Sequence, residues 1–264
     1  MYIRRMTVSD PRNHNTIYEM FDLWDIHPCV EIAVQMHPGK VSPDTDRYKW
    51  ICELVDKLKN LEPNRSFYPQ PCFAIHVNND WCDDICNGTI PDALKPLFDS
   101  VHPKRKNHIV GRIQLNMPQK TAENFNAQKL KGVIESFPDQ EFIIQYKPIT
   151  INAVEQLHKT GARFSLLFDE SGGTGRDAGT WRAPVYPEKH TQGYAGGLSP
   201  ENIADNLTKI NTVADGYKIW IDAEGCLQTP NGQLKPDGTP IKLFDAKRAK
   251  QYIQNAIRWE QNQK

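Results

Sequence analysis

Short apolar runs alternate with longer amphipathic stretches about eight times along this chain. That alternation constrains the fold more than any single motif. A short apolar run fits a strand buried on both faces, and an amphipathic stretch fits a helix laid over it. Strand candidates fall at 1–8, 29–36, 72–77, 108–115, 141–146, 164–169, 192–198 and 217–222. Helical patterns follow at 16–24, from the Ser42-Pro43 start through 58, at 92–98, 123–137, 151–159 and 199–210, the last also opened by Ser-Pro. A Pro- and Gly-rich excursion at 229–239 reads as a hairpin or extended loop. The final helix, 245–259, carries Ala249, Tyr252, Ile253, Ala256 and Trp259 on one face. Eight strand–helix units without a linker predict a (β/α)8 (TIM) barrel, one domain over residues 1–264. A doubly wound open sheet is the rival, but it uses fewer units for this length.

Composition narrows the partners. Lys+Arg and Asp+Glu are equal at 32 each, which offers no electrostatic footprint for nucleic acid or a membrane surface. No apolar stretch approaches the roughly 18 residues of a spanning helix, and the first residues lack a signal-like apolar core, so the expected location is cytoplasmic. Cys82 and Cys86 sit four apart, but no second cysteine pair completes a zinc site, and no metal is expected. Trp24, Trp50, Trp181 and Trp259 lie outside the strand candidates and leave room for a homodimer.

In a barrel of this kind the chemistry gathers at the C-terminal strand ends. Those positions hold Gln35, His76 with Asn78, Gln114 with Asn116, Gln145 with Lys147, Asp169, and Asp222 with Glu224. Strand alternation also puts Glu31 and Arg112 on the faces that carry Gln35 and Gln114. They could pair inside the barrel, or face the helices near the strand ends. His37 and His76 could meet at the mouth, but two histidines without a third ligand read as polar packing. After Asp169 comes a loop with Gly172, Gly173, Thr174, Gly175 and Arg176. Glycine lets backbone N–H groups turn together toward an anion, so a carboxylate beside this loop suggests proton transfer on a phosphorylated small molecule.

Leu166-Leu167-Phe168-Asp169, the following Gly172-Gly173-Thr174-Gly175-Arg176 and Trp181 resemble the sixth-strand motif of phosphoribosylanthranilate isomerases. The run from Tyr194 through Gly196, Gly197 and Leu198 to Asn202 is similar to that family's seventh-strand phosphate signature. Ile113-Gln114-Leu115-Asn116, the third strand and Val41-Ser42-Pro43 are fainter echoes in the same order. The resemblance implies an Amadori rearrangement of an aminoaldose phosphate in tryptophan biosynthesis, without cofactor. Asp169 would be the general acid, and Gly172, Gly173, Thr174, Gly175, Gly196, Gly197 and Gly225 would surround the phosphate. Gln35, His76, Gln114, Gln145 and Arg176 would line the substrate pocket.

This chain departs from that pattern at three places. The first strand has no cysteine to act as base. Glu224 precedes Gly225 where serines would bind phosphate, and Gly39-Lys40 stand where the family has an arginine. The readings left open are an isomerase-like enzyme, a non-catalytic barrel that binds a ligand or partner, and a reaction using Asp222 or Glu224 with Asp169 as a carboxylate pair. In the second reading the loops 63–71, 80–91 and 229–239 would be contact surfaces.

Overall fold

The computed structural model describes residues 1–61, 71–169 and 179–263. Eight parallel strands close on one another in chain order. They are β1 (Tyr2–Ser9), β2 (Val30–Met36), β3 (Cys72–Asn78), β4 (Val110–Asn116), β5 (Glu141–Gln145), β6 (Ser165–Asp169), β7 (Gln192–Ala195) and β8 (Lys218–Ala223). Pairing of β1 with β8 completes the ring, Thr7 opposite Asp222. The helices pack outside it: α1 (Ile17–Trp24), α2 (Asp46–Lys59), α3 (Asn79–Cys86), α4 (Lys95–Phe98), α5 (Gln119–Glu123), α6 (Ala127–Ser136), α7 (Ile151–Lys159), α8 (Ile203–Ala214) and α9 (Ala246–Gln261). A hairpin of β9 (Gln228–Leu234) and β10 (Pro240–Phe244) stands between β8 and α9, where the Pro- and Gly-rich excursion was expected. No helix among the described residues is long and apolar enough to cross a membrane.

The strands and the last helix follow the apolar pattern closely. All five residues expected on the inner face of α9 are buried. Asp245 caps that helix, its Oδ1 accepting from the Lys247 and Arg248 N–H groups at 2.9 and 3.3 Å. Asp245→Ala is therefore expected to lower stability by about 1 kcal/mol, measured by urea denaturation.

Helix starts depart from the sequence reading. Ser42 does not cap α2: its hydroxyl donates to Asp44 Oδ1 at 2.6 Å, and Thr45 accepts from the Tyr48 N–H instead. Ser199-Pro200 likewise forms a turn ahead of α8. There Asn202 ties the chain down, accepting from the Ser199 N–H and donating to the Gly197 carbonyl. The expected helix 123–137 is interrupted, and Asn126 caps α6 by accepting from the N–H groups of Gln128 and Lys129. The helix expected at 92–98 shrinks to α4. The polar stretch before it forms α3, whose inner face is only Cys82, Ile85 and Cys86, too short a stripe to stand out. Residues 80–86 are thus helix rather than contact loop, while 63–70 lie outside the described residues.

The four tryptophans considered for a dimer face are buried within the chain. Each indole N–H is bound: to the Cys72 carbonyl from Trp24, the Asn15 carbonyl from Trp50, Asn206 from Trp181 and Thr208 from Trp259.

The barrel interior is layered. Near the N-terminal end Arg112 Nη1 donates to Glu31 Oε1 at 2.6 Å, and that oxygen also accepts from Thr7 Oγ1 at 2.8 Å. Glu141 takes Arg4 at 2.9 Å and Ser165 Oγ at 2.6 Å. The expected Glu31–Arg112 pair is thus present, as two charges taken out of water require. Above it Trp220, Ile143 and Leu167 form a small apolar plug, with Ala195 packed against it. The Arg112 guanidinium lies over the Trp220 ring, 4.3 Å from its centroid. Gly193, facing Trp220, has no room for a side chain: a Cβ there would fall inside the indole. Polar groups return above this plug.

Candidate active site at the barrel mouth

The C-terminal strand ends surround a cavity of 470 Å³. Its wall divides by chemistry. Strands β2 to β5 contribute carboxamides: Gln35, Asn78, Gln114, Asn116 and Gln145. Strands β6 and β8 contribute carboxyls: Asp169, Asp222 and, just past β8, Glu224. Gly196 and Gly197 close the β7 side, and Gly225 lies beside Glu224. Of the strand-end residues named from the sequence, all but Lys147 line this one cavity, His76 included. Gly172, Gly173, Thr174, Gly175 and Arg176 lie outside the described residues.

The carboxamides form a directed chain. Gln114 donates to Asn116, Asn116 to Asn78 and Asn78 to Gln35, each at 2.8 to 2.9 Å. Gln35 Nε2 in turn donates to Glu224 Oε2 at 2.8 Å and reaches His76 Nδ1 at 3.3 Å. With Nδ1 accepting, His76 carries its proton on Nε2, which lies 3.9 Å from Asp222 Oδ2. Burial pushes the His76 pKa down to about 4, so this imidazole is neutral near pH 7.

Asp222 is buried beneath the cavity and accepts from Ser9 Oγ at 2.6 Å. Dehydration raises its pKa to about 7, with Glu31 and Asp169 adding repulsion against the Ser9 bond. Glu224 is also lifted to about 7, by dehydration and then by Asp10 and Asp222. Its side chain meets solvent, and water moderates that rise. Asp222 is therefore the firmer proton carrier. A group poised near neutrality can both take and give a proton at working pH.

Asp169 faces the same space from β6. Ala195 pairs with Asp169 on one side and Asp222 on the other, so the two acids are two strand spacings apart, about 10 Å between Cα atoms. Lys147 stands nearby, donating to Gln145 Oε1 at 2.9 Å. Burial lowers its pKa and Asp169 opposes that shift. Gly196 and Gly197 have φ of +125° and +66°, conformations suited to glycine, and such turns can present successive N–H groups to an anion.

Arg12, Asp10 and Ser9 are members of the site that the sequence reading missed. Asp10, buried at φ +71°, pairs with Arg47 and holds Arg12 through Nε and Nη2 at 3.0 and 2.7 Å. Arg12 thereby lines the cavity beside Glu224 and supplies positive charge there, which Gly39 and Lys40 do not. The available signal was position alone, a run of polar residues directly after the first strand. His37 does not join His76. It bonds Asn79 at 2.6 Å and lines a separate recess with Asp83 and Lys120.

No protein-family model and no curated protein sequence matches the chain. Among solved structures, fructose-bisphosphate aldolase from Campylobacter jejuni aligns with a TM-score of 0.51 at 11% identity, over 97% of this chain and 89% of that one. Phosphoribosyl anthranilate isomerase from Thermus thermophilus aligns with a TM-score of 0.47 at 12% identity, over 96% and 98%. KGPDC from Streptococcus mutans aligns with a TM-score of 0.46 at 14% identity, over 98% and 99%. The fold is that of a TIM barrel. At such identities the likeness speaks for the fold alone, and the chemistry of this TIM barrel has to be argued from its own mouth.

Proposed function

We propose that the mouth is an acid–base site acting on a small phosphorylated polyhydroxy compound, and that its reaction is an aldose–ketose rearrangement of the Amadori type. The observation that carries this reading is Asp222, buried and raised to about 7, at the cavity that Asp169 also lines. The base that strand one lacks is supplied from strand eight. Asp169 protonates the ring oxygen as the C1–O bond opens, the lone pair of the C1 amine forming an iminium. Asp222 removes the proton on C2, and the resulting enaminol loses its O2 proton and gains one at C1 to give the aminoketose. Five carboxamides opposite the acids suit the hydroxyls of such a substrate. The Gly196–Gly197 turn suits its phosphate, with Arg12 offsetting the charge of Glu224. The scheme uses no cofactor.

Conversion of phosphoribosylanthranilate and of a panel of aldose phosphates, followed by chromatography, tests the reaction. Turnover by the wild type and a loss of about 10²–10⁴-fold in Asp169→Asn is the expected result. A wild type that converts none of them sinks the catalytic reading. Binding is checked separately by thermal shift with ribose 5-phosphate. The expected rise in Tm should shrink in Gly196→Ala, because a residue with a Cβ is strained at φ +125°.

A further inference from the structure

The opposite end of the barrel holds a second cavity, of 460 Å³, almost the size of the mouth. It is walled by the first residues of β1 to β6 and the end of α6, and the apolar plug around Trp220 lies between these strand starts and the mouth. In this fold that end usually serves stability, and part of the wall does so here. Arg112 pairs with Glu31, and Glu141 takes Arg4 and Arg112. Glu135 is held by Lys131.

The remaining charges do not cancel. Arg5, Arg163 and Lys189 line the cavity with no carboxylate in ion-pair contact among the described residues, although Arg5 helps hold the Glu141 pKa down. Over the whole lining five cations face four acids, an excess of one positive charge. Two features of the backbone serve this arrangement. Successive residues of a regular strand point to opposite faces, but the pairing of β1 with β8 slips by one residue between Ile3 and Arg5. That bulge lets Arg4 and Arg5 both line the cavity. On β4, Gly111 also lines it, and a Cβ added there would meet nothing within 4 Å. Its φ is not in the left-handed region. Gly111 is the residue skipped where the β3–β4 pairing slips, Phe73 opposite Val110 and Ala74 opposite Arg112, and glycine suits such a bulge. What its absence of a side chain keeps is open space on the cavity wall.

We propose that this N-terminal cavity is a second binding site, separate from the mouth, for a small organic dianion seated against Gly111 and held by Arg5 with Arg163 and Lys189 at the rim. The dianionic group can be a phosphate monoester or a dicarboxylate, and the experiment separates them. Isothermal titration at low salt with ribose 5-phosphate and with succinate is compared across the wild type, Gly111→Val, Arg5→Ala and the mouth variant Asp169→Asn. The Cβ of Gly111→Val meets open space, and Arg5→Ala removes charge from a partly exposed position, so either variant can be read alone if the other folds poorly. The expected result is one probe with a binding component whose affinity falls about 10-fold or more in both N-terminal variants and is unchanged in Asp169→Asn, any binding of ribose 5-phosphate at the mouth remaining as a second component. The identity of that probe names the anion. No binding of either probe to the wild type, isotherms for both probes that are identical in the wild type and both N-terminal variants, or binding lost only in Asp169→Asn would each overturn the proposal.

Discussion

Asp222→Asn is expected to lower kcat/KM by about 10²–10⁴-fold and, at the same time, to make the folded protein more stable at pH 7 and above. The two effects have one cause. Burial raises the Asp222 pKa from its ordinary 3.8 to about 7, so the folded chain keeps a proton that the unfolded chain gives up. Stability therefore falls as pH rises through that window, by about 4 kcal/mol in all. Asparagine keeps the acceptor for Ser9 and has no charge to dehydrate, so it should recover much of that loss while removing the base. In the wild type, kcat/KM should rise with pH through about 7, because the base acts only when unprotonated. Turnover in Asp222→Asn close to wild type would remove Asp222 from the mechanism.

His76 gives the same variant a second readout. Its folded pKa of about 4 lies below the ordinary 6.5, so the unfolded chain takes up a proton that the folded chain refuses. That makes stability rise with pH between about 4 and 6.5, where Asp222 makes it fall. In the wild type the two slopes oppose, with Glu224 adding to the fall. In Asp222→Asn the Asp222 slope is gone, and stability should climb more steeply, or fall less, with pH across that range than in the wild type. Urea denaturation at a series of pH values distinguishes the two profiles.

Much of this was legible because strands and barrel geometry leave strong marks. Apolar runs locate all eight strands, and alternation along β2 and β4 places Glu31 and Arg112 close enough to pair. Reading only strand ends finds Gln35, His76, Gln114, Gln145 and Asp169, since closure of the ring brings those ends together whatever their separation in sequence. What stayed hidden depends on local competition. Ser42 and Ser199 looked like caps, but their hydroxyls are taken within the preceding turns, and Thr45 and the Asn202 turn stand there instead. Arg12 has no periodic pattern around it, and its place at the mouth comes from Asp10 in a left-handed conformation that turns the chain. The near-neutral acid was hidden for another reason. A carboxylate at 222 is visible in the sequence, but its displacement to about 7 arises from burial and from Glu31 and Asp169 on other strands.

Gly193→Ala should be the most damaging single-methyl change in the barrel, costing about 3 kcal/mol or more and leaving little soluble protein. Trp220 fills the centre, wholly buried, with Ile143 and Leu167 beside it and the Arg112 guanidinium across its face. The added methyl would fall inside the indole, so the ring or the strand must shift. In Gly193→Ala/Trp220→Leu the clash is gone, and the double variant should be more stable than Gly193→Ala alone even though Trp220→Leu by itself opens a cavity and destabilises. That sign reversal in a double-mutant cycle, read by denaturant melts, is the signature of direct contact between the two sites. Two strictly additive losses would mean that the glycine is not there for the tryptophan. The same contact bears on function, because Trp220 and Asp222 share a face of β8 two residues apart. An indole forced upward would press on the acid whose proton affinity depends on its burial. Variants that loosen the plug without unfolding the barrel should therefore move the kcat/KM limb near pH 7 toward lower pH, as water reaches Asp222.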